Sequence, residues 1–472
     1  MAGTWSETNK PSIPGFYNRF KTIAEKRIEV GTSGTLAMPV KSNWGPVKSV
    51  VSILNEKDLI RNFGNDIKFT AYKLGRLALL GQPKELLLYR LTDGTEKVAS
   101  LKLKNTEPSP TDVITLETKY PSTRAFNVTI RTNIADASKK DLLIFEGTIL
   151  LVTIQNLGGT IDEIVSAINS YEDNVYLIAK KVTGATGTLA NIVNQALTGG
   201  NDGATKVTNE HYLEAMNVFE GYSLDAFALD GVSDSSLQTS IKIWTETQKN
   251  NGNNFISFLG GGSETTLVQT NMKSKELNNP SVVNIADSAY YEEVLYSPAE
   301  VAVYVAALSI GLDLKESICN KRTIFSGIKN KHSKPEEDIA LKAGTLIFRE
   351  NNGSVIIVDD KNTFTEYQDE KNEVLGYIRA ERFISTVDED TTLSGDDFIG
   401  KTPNDDLGQI TVITALKKYF EAFITARIIK DDFTVEVDKE LQVNAKNDEF
   451  FWKWNANYIN VMKKIYGTGY IR

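Results

Sequence analysis

Few residues in this chain have the type and spacing to do chemistry, and those few lie far apart. His211 and His332 stand 121 positions from each other, and neither has another His or a Cys close by. Zinc sites and histidine-based catalysis rest on closely spaced ligands, such as His at i and i+4 or paired Cys. Each His therefore reads as an ordinary surface or hydrogen-bonded residue. The single cysteine, Cys319, has nothing beside it to activate a nucleophile and reads as a buried thiol.

Gly260-Gly261-Gly262-Ser263 follows a strand-like run, Phe255–Leu259, and opens a helix at Ser263. That arrangement can cradle a phosphate on a helix N-terminus. A P-loop would place Lys before the Ser, and a dinucleotide fingerprint would read G-x-G-x-x-G; neither is present. The favoured reading is a tight turn with Ser263 as N-cap and Glu264 in the first helical turn. A nucleotide-binding enzyme using this turn is the competing reading from another class. Asp359-Asp360 could offer carboxylates to Mg²⁺, but a solvated turn explains the pair, as exposed loop explains Asp388-Glu389-Asp390. No catalytic, cofactor-binding or metal set can be assembled. The expectation is a protein that is not an enzyme and uses no cofactor.

The elements that would position such residues are those of a large chain. At 472 residues it exceeds what one core usually serves, so several domains are expected. Its 41% hydrophobic and 24% charged residues suit a globular protein rather than a disordered one. A net charge of -9 and a pI near 5.2 argue against wrapping nucleic acid. One cysteine excludes an internal disulfide and fits a reducing cytoplasm. The opening MAGTWSETNK lacks a signal pattern, and the best apolar run, Val301 to Leu312, is too short to span a bilayer. A protein made and kept soluble inside a cell, leaving it if at all by a route such as lysis, and no membrane insertion are expected.

Residues 1–26 read as an extended arm, in which Pro11, Pro14 and Gly15 interrupt regular structure and Phe16, Tyr17 and Phe20 supply anchors. Residues 27–97 read as mixed α/β, with strands at Thr35–Val40 and Leu86–Leu91 and a helix at Phe69–Leu80. Short β-type runs over 98–202 suggest an inserted β-rich, sandwich-like domain. One helix interrupts it after the capping box Thr160/Glu163, and it ends in a Gly-rich segment, Gly184 to Gly203. Residues 203–370 return to mixed α/β, with a capped helix from Ser297-Pro298 and a hairpin turn at Asn351-Asn352-Gly353.

Residues 371–472 read as an α+β domain, with a strand at Tyr377–Val387 and a long helix, Leu407 to about Ile429, capped by Asp405 or Asp406. The helix has an apolar face, Ile410, Ile413, Leu416, Phe420 and Phe423. Its polar face is Thr411, Thr414, Lys418, Glu421 and Thr425. A terminal strand, Ile465–Ile471, needs partners for its backbone groups and could add to a sheet edge in another copy. Ordering it costs about 1–2 kcal/mol per residue, and its hydrogen bonds return about 0.5–1.5 kcal/mol each. The arm becomes firm only when side chains such as Tyr466, Tyr470 and Ile471 also bury surface on a neighbour.

Five segments in order resemble contractile phage tail sheath proteins: Pro14-Gly15-Phe16-Tyr17; Gly34–Val40 with Trp44-Gly45-Pro46; Leu197 to Gly203; Ile399-Gly400-Lys401 with Asn404 and Gly408; and Met462 to Tyr466. The chain departs from that pattern at Lys463, where an acidic residue is commoner, and at Gly467 and Gly469, which weaken strand preference. The resemblance implies an α+β, multidomain structural subunit that polymerises helically around an inner tail tube. It would then contract to drive the tube through a cell envelope, using energy stored in a trapped extended state rather than a nucleotide. Inter-subunit arms would be Pro14, Gly15, Phe16, Tyr17 and Phe20 at one end and Ile465, Tyr466, Thr468, Tyr470 and Ile471 at the other. The face Thr411, Thr414, Lys418, Glu421 and Thr425 would meet the tube, and the β-rich insert would point outward. Implied partners are further copies of the chain, the tube protein, and baseplate and terminator or collar proteins. A phage, a phage-tail-like bacteriocin and another contractile injection particle fit equally, and a monomeric binding module is a third class.

Overall fold

The computed structural model describes residues 34–367 and 373–471. The N-terminal arm residues Pro14 to Phe20 therefore lie outside the described residues. Gly34 to Asp388, together with Val461 to Ile471, form one compact unit, the body; Glu389 to Asn460 form a second.

The body is built on a seven-stranded sheet. Its order is Thr345–Leu346, Val282–Ile285, Ile256–Gly260, Ala226–Ala228, Thr35–Val40, Glu85–Arg90 and Val50–Ile53. All neighbours are parallel except the edge strand Val50–Ile53, which runs antiparallel to Glu85–Arg90. Parallel strands covered on both faces need apolar residues at successive positions, which is how TLAMPV and ELLLYR read. Alternation then divides each strand between two cores. Leu36, Met38, Leu86 and Leu88 pack with the helices Thr70–Leu80 and Pro298–Gly311, whereas Ala37, Leu87 and Tyr89 pack with Asn209–Phe219 and Ser235–Asn250. Pro298–Gly311 is apolar all round and buried along almost its whole length, beginning at a capping box of Ser297 and Glu300 with Pro298 in its first turn.

Between Leu91 and Gly203 the chain builds a sandwich. One sheet has the order Ile192–Ala196, Phe126–Thr132, Lys140–Glu146, Ile149–Leu157; the other Ser100–Lys104, Asp112–Thr118, Leu177–Lys181. Val128, Ile130, Leu142 and Ile144 meet Leu103, Val113 and Leu116 inside it, and Trp44 joins this core. The strand Ile192–Ala196 falls within the segment read as small, polar and Gly-rich. Its partner Phe126–Thr132, with a register shift between Ile192 and Gln195, recruits a run too polar to announce itself.

In the second unit the helix Asp406–Thr425, capped by Asp405, lies beside the hairpin Thr434–Val437/Trp452–Asn455, where Phe420 packs on Phe433 and Trp454. The strand expected at Tyr377–Val387 is a helix, Ile378–Gly395. Ala380, Phe383 and Val387 recur at helical spacing and are buried. Charged side chains between them find partners: Glu381 accepts from Ser281 and Lys249, and Asp388 accepts from Asn254 at 2.6 Å. The acidic run is therefore helical rather than exposed loop. Asp390 is buried and accepts the Tyr419 hydroxyl at 2.7 Å.

Candidate functional site: the Lys463 anchor and the exposed segment beyond it

Asp359 and Asp360 follow the hairpin strand Ser354–Ile357, and their surroundings are protein rather than solvent. The Val358 N–H bonds to the Ile347 carbonyl at 3.0 Å and the Ile378 N–H to the Asp360 carbonyl at 2.9 Å. Asp360 is 1% exposed and Asp359 is half-buried, so the solvated turn is corrected to an acidic pair enclosed by protein. Lys463 donates to Oδ1 of Asp359 at 2.6 Å and to Oδ1 of Asp360, and its ammonium lies 3.5 Å from the centre of the Tyr377 ring. Burial pushes the Asp360 carboxyl up. For Asp359 burial is the largest single influence and pushes the same way, but the Lys463 charge and the hydrogen bonds from Lys463 and Asp360 together hold the group below its ordinary value. Burial opposes the charge on Lys463 itself, yet the two carboxylates hold its pKa above the usual lysine value. The pairing spans 104 positions, so no local pattern could reveal it. The one signal was Lys463 itself, basic where the resembled family is more often acidic.

Beyond this anchor Ile465, Tyr466, Thr468, Tyr470 and Ile471 are all exposed and belong to no strand. In the second unit Thr411, Thr414, Lys418, Glu421 and Thr425 line one exposed face of the helix Asp406–Thr425. The Thr411, Thr414 and Thr425 hydroxyls donate to carbonyls four residues back, so part of their polarity is spent within the helix. Ile410 departs from the expected apolar face. It is 60% exposed, beside Leu407 at 74%, while Ile413, Leu416, Phe420 and Phe423 are buried. The reason is register: 407, 410, 411 and 414 fall on one side of a 3.6-residue turn.

The other chemical candidates have structural work. His211 Nδ1 accepts the Thr208 N–H at 3.0 Å as part of a capping box. His332 Nε2 lies 2.6 Å from Asp287 Oδ1, and Asp287 Oδ2 accepts the Phe348 N–H at 2.7 Å. Hydrogen bonding to Asp287 holds the His332 pKa above the usual histidine value. Burial pushes the Cys319 thiol up to about 12, far from a nucleophilic thiolate. Among the described residues no group of three or more His, Cys, Asp or Glu could hold a metal ion, and no helix is long and apolar enough to cross a membrane.

The Gly260–Ser263 turn is used for packing. A Cβ on Gly260 would lie 2.4 Å from the Pro298 carbonyl, and the Ala299 N–H bonds to Gly261 O at 3.0 Å. The glycines thus serve close approach of the helix Pro298–Gly311 to the sheet. Ser263 is not a cap. Its carbonyl accepts from Lys329, the chain keeps turning, and the next helix is Leu267–Leu277, capped by Thr266 with Gln269.

This architecture has close counterparts. A profile of the phage tail sheath protein beta-sandwich domain matches residues 92–202, one of the sheath protein central domain residues 205–363, and one of the sheath C-terminal domain residues 370–472. The chain is 23% identical to the uncharacterized protein YqbK and 22% identical to the phage-like element PBSX protein XkdK, both of Bacillus subtilis (strain 168), over 98% of each chain. It is 24% identical to the tail sheath protein of Staphylococcus phage Twort over 57% of this chain and 46% of that one. A sheath tail protein from Desulfitobacterium hafniense shares the fold at 19% identity and a TM-score of 0.71, with 94% of this chain and 100% of that one covered. The anti-feeding prophage helical sheath in its contracted state shares it at 10% identity and a TM-score of 0.54, covering 98% and 99%. Three sheath-domain profiles in sequence order account for nearly everything from residue 92 onward, and the chain belongs to the phage tail sheath protein family.

Proposed function

We propose that this chain is the repeating subunit of a contractile sheath, polymerising helically around an inner tube and shortening to drive that tube through a target envelope. The observation that carries this reading is the ordered run of three sheath-domain profiles from residue 92 to residue 472. Residues 465–471 support it. They are exposed and paired in no sheet, so their backbone groups are open to a sheet edge in a neighbouring copy. The two-stranded sheet Thr434–Val437/Trp452–Asn455 supplies an edge of the right kind. In this reading Pro14 to Phe20 form the second linking arm and the sandwich points outward. The face from Thr411 to Thr425 meets the tube, and baseplate and collar proteins bind the ends of the polymer. The work of contraction comes from a metastable assembled state, so the subunit catalyses nothing.

A phage-tail-like particle is the second reading, favoured by the whole-length similarity to a protein of a phage-like element; a DNA-filled capsid on purified particles would decide for a phage. Negative-stain microscopy of the purified subunit tests the sheath itself. Long striated hollow tubes are expected, and deleting residues 465–472 should abolish them while leaving a soluble, folded subunit. Normal polymers from the deleted chain would defeat the arm assignment.

A further inference from the structure

From Met462 to Ile471 every residue except Lys463 is exposed. The C-terminal segment is thus held at one point. We infer that Asp359, Asp360 and Tyr377 form a receptor for a primary ammonium ion, that Lys463 is its occupant, and that this contact pins the start of the segment to the body of its own subunit.

The receptor is built by the body. Backbone bonds from Val358 to Ile347 and from Ile378 to Asp360 fix both carboxylates, and the Asp360 N–H donates to Asp359 Oδ1 at 2.8 Å. Its chemistry suits an organic cation: two adjacent carboxylates and the face of an aromatic ring. Charge completes the case. Lys361, itself buried, has its ammonium 4.0 Å from the centre of the same Tyr377 ring. With Asp359, Asp360 and Glu373, which acts on Lys361 and Tyr377, all ionised, the carboxylates carry -3 against +2 from Lys361 and Lys463, so unseating Lys463 deepens the negative excess. An empty receptor would leave a buried carboxylate without compensation. Asp360 Oδ2 is buried without a hydrogen-bond partner even with Lys463 present.

Chain path gives the anchor its meaning. The chain leaves the body after Asp388, builds the second unit, and rejoins the body at Val461. Lys463 is where that return is fastened. The consequence for assembly rests on the sheath reading: residues 465–471 reach a neighbour from a fixed origin, and this origin stays with its own subunit in the polymer.

Amine-reactive labelling of the full-length protein, read by peptide mass spectrometry, tests this, with the adjacent exposed Lys464 as internal control. Lys463 should be modified about tenfold or more slowly than Lys464, because labelling must wait for the anchor to open. In Asp359→Asn or Asp360→Asn the two lysines should differ less than about twofold. Equal rates in the unaltered protein, or undiminished protection in both folded variants, would overturn the receptor. Protection should persist in assembled polymers; its loss on assembly would overturn the fixed origin. Deleting residues 465–472 leaves both lysines in place, so labelling reports on the receptor and tube growth on the sheath reading, each independently.

Discussion

The Arg90 guanidinium donates to the backbone carbonyl of Asp202 at 2.9 Å, joining the end of a central strand to the point where the inserted sandwich returns, 112 positions later. It also donates to the Pro121 carbonyl at 2.9 Å and the Gly45 carbonyl at 2.7 Å. Arg90 is fully buried, and burial lowers its pKa to about 10. One side chain thus holds the root of the insert on three sides.

Arg90→Met keeps much of the volume but leaves three carbonyls without this donor. We expect a loss of roughly 2–5 kcal/mol in urea unfolding. Limited proteolysis should cut first near residues 92–97 and 201–203. A stability within about 0.5 kcal/mol of the unaltered chain, typical of surface sites, would show that the root is held by other contacts.

His332 gives the body a pH dependence of definite sign. Its folded pKa is raised, chiefly by the hydrogen bond to Asp287, with Glu336 and Glu337 acting in the same direction. Such a group stabilises fully below the unfolded value near 6.5, and the contribution is lost as pH rises through the higher folded value. His332→Gln should therefore melt below the unaltered protein at pH 5.5, and the gap should close by pH 9. A gap that widens with pH would contradict the pairing.

Gly260→Ala separates packing from ligand binding at the glycine turn. The added Cβ meets the Pro298 carbonyl, so roughly 1–3 kcal/mol of stability should be lost through overpacking. Calorimetry of the unaltered protein with ATP should show no binding heat. Measurable ATP affinity would reopen the nucleotide reading.

Thr414→Glu tests the exposed helix face. The position is exposed, so thermal stability should change by less than about 0.5 kcal/mol. If this face meets the tube, co-assembly with the tube protein should weaken while sheath-only polymers still form. Unchanged co-assembly would place the tube contact elsewhere.

Local patterns carried much of this fold. The continuous apolar runs of Thr35–Val40 and Glu85–Arg90, the capping boxes at Thr160 and Ser297, and the Asn352-Gly353 turn all state their structure within a few residues. Each depends on backbone geometry and on side chains three or four positions apart, so sequence by itself determined them. What tertiary structure alone decided was the partnering of charge and backbone over long separations. Within the helix Ile378–Gly395 the apolar spacing of Ala380, Phe383 and Val387 is local, but Glu381 and Asp388 are accommodated by partners more than a hundred positions upstream. Asp360 is buried, with Asp359 half-buried beside it, because Lys463 returns to them. A buried charge is tolerated only where the fold delivers its counter-charge, and that delivery is set by the path of the whole chain.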